Sequence, residues 1–433
     1  MKAAFVIIRS PMYRLYSPII DAALDRGWEV ECWHDYGQTQ TGAKAYQFPG
    51  ADSAPVFRHG SPVVRGYQGP SELVAWLADA AVDAVIWTGA NLAAGLPLPQ
   101  RRPLLVGQQY LLDTFCGPGP ANLLACDVIA FHSQWWLEWA ADYFVRERLV
   151  TDPGAYLRDA GERAAFVGMA ELDAASMIDP DEVRRRWGIP VGQPVVVLFP
   201  FPQGTGRTTF WPKMICAEPS RWKQAANVLA RQRFEYLPHV WHGWNDRNIV
   251  KTIRRFCDRN GAFLLVKSRQ KTPVPAYTAA LADRCVYDEG YYPATALEAL
   301  SVADLAVSYY SNTVFESAFA RVPHLCLTFE AKDYIGENSD YYSRFYTPEE
   351  GSAFQFKGVS TAWSLSEALS QLPTKTLGDF RMDHDARTRY LRKFLTHEAG
   401  NGGYRTVDAV ERALGRPRPS LSGDRTPVGL ERH

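Results

Sequence analysis

The sequence has little of what marks a membrane, secreted or nucleic-acid-binding protein. No apolar run reaches the roughly 18–20 residues that a membrane span needs, and no cationic leader with a cleavage site precedes the first apolar stretch at residues 3–8. The 47 basic and 47 acidic side chains cancel, so no global field draws the chain to nucleic acid, and an anionic ligand must be met by a local cluster. Seven cysteines, an odd number, are scattered and never spaced as Cys-x-x-Cys, which excludes a disulfide framework and a zinc knuckle and points to a reducing compartment. Also missing are the two glycine signatures of phosphate binding. Arg9-Ser-Pro-Met12 stands where Gly-x-Gly-x-x-Gly would follow the first strand, and Gly-x-x-x-x-Gly-Lys-Ser/Thr occurs nowhere, so dinucleotide oxidoreductases and P-loop enzymes are disfavoured. These absences together predict a cytoplasmic protein.

What is present is a rhythm. Short apolar runs at 3–8, 29–33, 84–87, 104–107 and 128–131 alternate with helical segments such as 18–25, and the pattern restarts at 194–199, 262–267, 305–309 and 324–328 with helices at 179–188, 248–260 and 294–303. Repeated βα units predict parallel sheets covered by helices on both faces. A chain of 433 residues exceeds one comfortable core, so the expected organisation is an α/β protein of two facing Rossmann-like domains. The first spans 1–175 and the second 176–380, with a hinge near 170–182, C-terminal helices at 381–415 that pack back across the domains, and a disordered tail at 416–433. Ligands in such folds lie beyond the carboxyl ends of strands.

The most informative junction is Leu305-Ala-Val-Ser-Tyr-Tyr-Ser311-Asn312-Thr313-Val-Phe-Glu316, a strand running into a hydroxyl- and amide-rich helix start. Free N–H groups and the helix dipole favour a phosphate there, and Glu316 lies one turn on, where it can accept hydrogen bonds from a ribose diol. The same residues also spell a capping box, Thr313-x-x-Glu316, which needs no ligand. Both readings stand at the level of sequence.

Other candidates follow strand ends. Lys267-Ser-Arg269-Gln-Lys271 closes the 262–267 strand with cations suited to a leaving diphosphate, or forms a solvated basic turn. Gly204-Thr-Gly206-Arg207 offers backbone N–H groups and a cation. For a base in the first domain the candidates are His34, Asp35, Asp113 and His132, with Asp113 favoured by its polar surroundings after an apolar strand. His242, between tryptophans, reads as structural. Asp179-Pro-Asp181 and Asp383-His-Asp385 sit at helix starts as caps, so no metal is assigned. The tryptophan helix Trp135-Trp136-Leu-Glu-Trp139 is a core stripe, a sugar-stacking wall or a membrane-resting surface.

These stretches resemble those of a GT-B glycosyltransferase, and the late segments are similar to those of bacterial capsule, lipopolysaccharide and teichoic-acid transferases, including CDP-glycerol glycerophosphotransferases and Kdo-type transferases. The resemblance is carried by 178–199, by Leu264-Leu-Val-Lys-Ser-Arg269, by 303–316 with Val322-Pro323, and by 390–395 with Gly402-Gly-Tyr-Arg405. It implies a metal-independent transferase that takes a nucleotide-sugar donor and a glycan or lipid-linked acceptor, needs no cofactor, works in surface glycan synthesis, and sits in the cytoplasm or at the inner face of the membrane. Glu316 would be the ribose-binding acid, Ser311 to Thr313 the phosphate-binding start, and Lys267 with Arg269 the phosphate cations. Ser268-Arg269 replaces the His-Pro pair common in several of these relatives. A non-hydrolysing nucleotide-sugar epimerase shares the two-domain plan, and a catalytically silent glycan- or nucleotide-binding module is the non-enzymatic alternative.

Overall fold

The computed structural model describes residues 1–36, 54–79, 81–88, 102–110, 124–200, 220–230, 232, 234, 237, 246–268, 274, 276–288, 290–328, 347–398 and 400–415. Within them the βα rhythm produces two sheets in which every pairing is parallel. The first contains β1 (Lys2–Ile7), β2 (Glu29–Asp35), β3 (Val63–Tyr67), β4 (Ala84–Trp87), β5 (Leu104–Gln108), β6 (Val128–Phe131) and β7 (Ala164–Phe166), ordered β3-β2-β1-β4-β5-β6-β7. The second contains β8 (Val195–Phe199), β9 (Phe263–Lys267), β10 (Arg284–Val286), β11 (Leu305–Tyr309), β12 (His324–Thr328) and β13 (Ser360–Ser364), ordered β10-β9-β8-β11-β12-β13. These are the two Rossmann-like units expected from the sequence. Strand order reverses at β1/β4 in one sheet and at β8/β11 in the other, and those switch points open crevices at the strands' carboxyl ends.

Central strands are buried along their whole length, as in Leu305–Tyr309 and His324–Thr328, because helices cover both faces of a parallel sheet. The helices are α1 (Tyr13–Asp25), α2 (Pro70–Asp79), α3 (Gln134–Arg146), α4 (Pro153–Gly161), α5 (Pro180–Trp187), α6 (Arg221–Ala230), α7 (Asp246–Arg259), α8 (Ala276–Ala279), α9 (Thr295–Ser301), α10 (Thr313–Phe319), α11 (Leu365–Gln371), α12 (His384–Leu395) and α13 (Gly402–Leu414). α1 corrects the expected start at Pro18. It begins five residues earlier, after a 3-10 turn over Ser10–Met12, and carries Pro18 inside. Burial of Tyr13, Leu15, Tyr16, Ile19 and Ile20 offsets the hydrogen bond that the proline removes.

The two C-terminal helices return to different bodies. α12 sends Tyr390 and Phe394 into a core shared with Trp136 and Phe315, and Trp136 donates its indole N–H to the Phe394 carbonyl at 2.8 Å. α13 places Val407 and Val410 in the core of β1 and α1. Its first turn touches backbone: a Cβ on Gly402 would meet Ala170 Cα at 2.7 Å, and one on Gly403 would meet the Pro18 carbonyl oxygen at 2.4 Å. Arg405 fastens the same end, donating to the carbonyls of Val167 and Gly400 at 2.9 and 3.0 Å. The Gly-Gly-Tyr-Arg ending is therefore a docking device.

In the tryptophan helix α3, Trp136 is buried core, while Trp135, Trp139 and Tyr143 stack in sequence along one half-buried side. Asp179 and Asp383 cap α5 and α12, accepting from the N–H groups of Asp181 and Ala386 at 3.0 and 2.6 Å. Among the described residues no helix is long and apolar enough to cross a membrane.

Candidate functional site between the sheet edges

β11 ends at one switch point and delivers Ser311, Asn312 and Thr313 into the start of α10. The capping box written in the sequence does not form. Asn312 is the cap residue and makes no capping bond. Ser311 instead closes the turn: its hydroxyl pairs with that of Thr313 at 2.8 Å and accepts from the Thr313 N–H at 3.2 Å. The N–H groups of Val314 and Phe315 reach the carbonyls of Ser311 and Asn312 at 3.2 and 2.9 Å. The first turn thus meets its own N–H groups locally, and a pair of linked, part-buried hydroxyls and the Asn312 amide stand at the start of a short helix. The side-chain amide oxygen of Asn312, Oδ1, is buried and has no hydrogen-bond partner among the described residues.

Glu316 is 2% exposed and turns away from the helix start to Arg14, which rises from the first turn of α1 after β1. Arg14 is therefore delivered from the switch point of the first sheet to the switch point of the second. The same guanidinium stands 3.6 Å from Glu171, in the 3-10 segment Ala170–Met177 that connects the two sheets. One cation serves two buried carboxylates from separate parts of the fold. Burial acts to discharge Arg14, but Glu316 and then Glu171 outweigh it and hold the guanidinium above its usual value. Glu171 is pushed up from its ordinary value, first by burial and further by Glu316, with Arg14 opposing. A second tie joins the bodies nearby: Asp21 of α1 accepts from the Tyr292 hydroxyl at 2.6 Å and from Arg58 Nε at 2.5 Å.

Beneath α10, His324 of β12 is held between Ser308 of β11 and Ser317 of α10, at 2.8 and 2.9 Å. Both hydroxyls also point at main-chain carbonyls, those of Tyr309 and Thr313, at 2.6 and 2.7 Å. Burial lowers this ring to about 3, so it is neutral and owns one N–H. One serine must then turn its proton to the ring. The network ties strand, helix and neighbouring strand together at the base of the Ser311–Glu316 turn.

The remaining expected residues either stand at the ends of other strands or lie outside the described residues. Lys267 ends β9, two strands from β11, and its ammonium bonds the Ser268 carbonyl at 2.5 Å. His34 ends β2 and meets the Tyr13 hydroxyl at 2.6 Å; His132 follows β6 and its Nε2 donates to the Gln109 carbonyl at 3.1 Å. Burial lowers both rings to about 4. Asp35 closes β2 at the sheet's outer half. Asp113, Gly204, Gly206, Arg207, His242 and Arg269 lie outside the described residues. Sequence reading missed Arg14 and Glu171. A trace was available for Arg14, since a cation in the first turn of a helix opposes the dipole and sits there between Tyr13 and Leu15.

No protein-family model matches the chain, and no curated protein does. Solved structures do match in fold. A proposed UDP-N-acetylglucosamine 2-epimerase from Listeria monocytogenes superposes with a TM-score of 0.51 at 12% identity, over 96% of this chain and 98% of that one. MnaA of S. aureus, solved with UDP, gives 0.50 at 11%, over 96% and 97%. The wall teichoic acid polymerase TagF gives 0.51 at 11%, over 96% and 89%. At such identities the likeness is one of fold, and the fold is the facing pair of Rossmann-like sheets of GT-B proteins.

Proposed function

We propose that the chain is a GT-B glycosyltransferase that binds a nucleotide-activated sugar, or a sugar-like polyol phosphate, between the carboxyl edges of its two sheets and transfers it to a glycan or lipid-linked acceptor. The observation that carries this reading is the meeting of Arg14 from one switch point with Glu316 from the other, one helical turn after the linked Ser311 and Thr313 hydroxyls. Anion-receptive groups and a diol-accepting carboxylate lie within one helical turn of each other, where open α/β sheets take ligands. In the proposed reaction an acceptor hydroxyl attacks the anomeric carbon of a sugar donor, its proton passes to a base, and the bond to the diphosphate breaks with its electron pair on the phosphate oxygen; with a polyol-phosphate donor the hydroxyl attacks the phosphorus that bears the polyol, and the nucleoside monophosphate leaves with the electron pair of the broken P–O bond. Arg14, with Lys267 and Arg269, supplies the positive charge for that leaving group without a metal. Asp113 is the proposed base. Gly204, Gly206 and Arg207 are assigned to the donor by the same reading.

The test is a thermal-shift and calorimetry panel of UDP-, GDP-, CMP-, CDP- and dTDP-linked donors, followed by Glu316→Ala. One donor class is expected to raise the melting point by mass action, and the variant is expected to weaken its binding by about tenfold or more, equivalent to about 1.4 kcal/mol. Folding should survive, because Arg14 retains Glu171 and no charge is stranded. Binding of no donor, or unchanged affinity with a large loss of stability, overturns the proposal. The fold neighbours also favour testing an epimerase, since that likeness spans 98% of the Listeria protein; conversion of UDP-N-acetylglucosamine without any acceptor would establish it.

A further inference from the structure

Glu171 has a feature that donor binding alone does not explain. It is 4% exposed, its Oε2 has no hydrogen-bond partner among the described residues, and its nearest compensation is a guanidinium 3.6 Å away that is closer to another carboxylate. Arg14 Nε is likewise buried and without a hydrogen-bond partner among the described residues. Two carboxylates sharing one cation are stable as anions only while that cation remains between them. Arg14 is the most exposed of the three side chains, at 24%, and it alone carries charge of the sign an anionic ligand seeks.

We propose that Glu171 is the proton-linked carboxyl of this site, kept ionised by sharing Arg14 with Glu316 and taking up a proton when the diphosphate of a bound donor draws Arg14 away. This rests on the donor-binding reading above. The exchange frees Glu316 for the ribose diol and leaves Glu171 buried with no counter-charge, so a proton from solvent settles on its carboxylate. Among the described residues nothing else packed on the connecting segment is placed to neutralise it. α13 commits Arg405 to the carbonyls of Val167 and Gly400, α9 commits Glu298 to Arg186, and the further titratable group facing Arg14 is the Tyr110 phenol. Burial already holds the Glu171 carboxyl above its ordinary value with Arg14 in place. Loss of the cation moves the carboxyl upward, which is the direction that binds protons.

The experiment is calorimetric titration of the full chain with UDP-N-acetylglucosamine and a CDP-linked polyol, in buffers of differing ionisation enthalpy, from pH 6.5 to 8. The esterified diphosphates keep their charge across that range, so proton exchange reports the protein. Uptake is expected to approach one proton per site at the alkaline end of that range, where Glu171 is ionised before binding. Above pH 7 affinity should fall by up to about tenfold per pH unit as uptake approaches one proton. Glu171→Gln should bind with no uptake and a flat pH dependence. If that variant does not fold, Glu171→Asp is read instead, and the uptake must persist with a displaced midpoint. Wild-type binding without proton exchange, or equal uptake in Glu171→Gln, overturns this inference and leaves donor binding standing; failure of wild type to bind either probe overturns both.

Discussion

α13 and α10 both begin within short polar segments, Asn401-Gly402-Gly403 and Ser311-Asn312-Thr313, and their first turns are closed by different chemistry. At α13 the carboxylate of Asp173, from the connecting segment, accepts from the N–H groups of Gly402 and Gly403 at 2.9 and 2.8 Å. An anion supplied by the protein fills that end, and glycines let the backbone come close enough to receive it. At α10 a neutral hydroxyl closes the turn, and the acid in its first turn, Glu316, is spent on Arg14. One positive helix end is compensated and docked against backbone, whereas the other keeps its field at a strand edge. The difference separates a helix start used for architecture from one suited to a ligand.

Asp173→Ala should break the architectural side outright. It leaves two N–H groups unpaired at a packed helix end, and the expected loss is about 2–3 kcal/mol in denaturant unfolding. Asp173→Asn, which keeps one acceptor, should lose less. Burial raises the Asp173 carboxyl, against the lowering by the Gly403 and Gly402 N–H groups, so the acid sits there at some electrostatic cost. Equal stability of wild type and Asp173→Ala would show that α13 docks through its apolar face alone.

Acid tests the support beneath α10. His324 is lowered from 6.5 to about 3 by burial, so the unfolded chain takes a proton that the native chain refuses. Its contribution is full above about pH 6.5 and is lost as pH falls towards 3. Wild type should lose about 2 kcal/mol more than His324→Gln between pH 7 and 5. Identical losses would detach the ring from the stability of this turn. The smallest stability effect belongs to Ser311→Ala, expected at about 1 kcal/mol for the two part-buried bonds its hydroxyl makes within one turn, yet donor affinity in the same variant should fall about tenfold. A stability loss as large as that of Asp173→Ala would make the α10 start architectural as well.

Legibility followed burial. The strands read correctly from the sequence, such as 305–309 and 324–328, are central ones whose residues are all buried. The strands not anticipated are β3, β7, β10 and β13, the four outer strands of the two sheets. Each is only partly buried, because an edge strand has a partner on one side only and can mix polar with apolar residues. The same logic applies to the site. Ser311, Asn312, Thr313 and Glu316 were visible because they are contiguous after an apolar strand. Arg14, Glu171 and Glu316 are separated by more than a hundred residues between each later pair member, and no local pattern joins them.

By itself the sequence determined the two βα series, the helix caps at Asp179 and Asp383, and the strand-to-helix junction at residue 311, since each depends on neighbours along the chain: apolar period, turn chemistry and capping. The tertiary structure alone decided that Glu316 would face Arg14 instead of capping its own helix, that Asp173 would cap a helix more than two hundred residues away, and that one guanidinium would serve two carboxylates. Charges in a low-dielectric interior are settled by whichever partner packing brings within reach, and that partner is set by how the sheets meet.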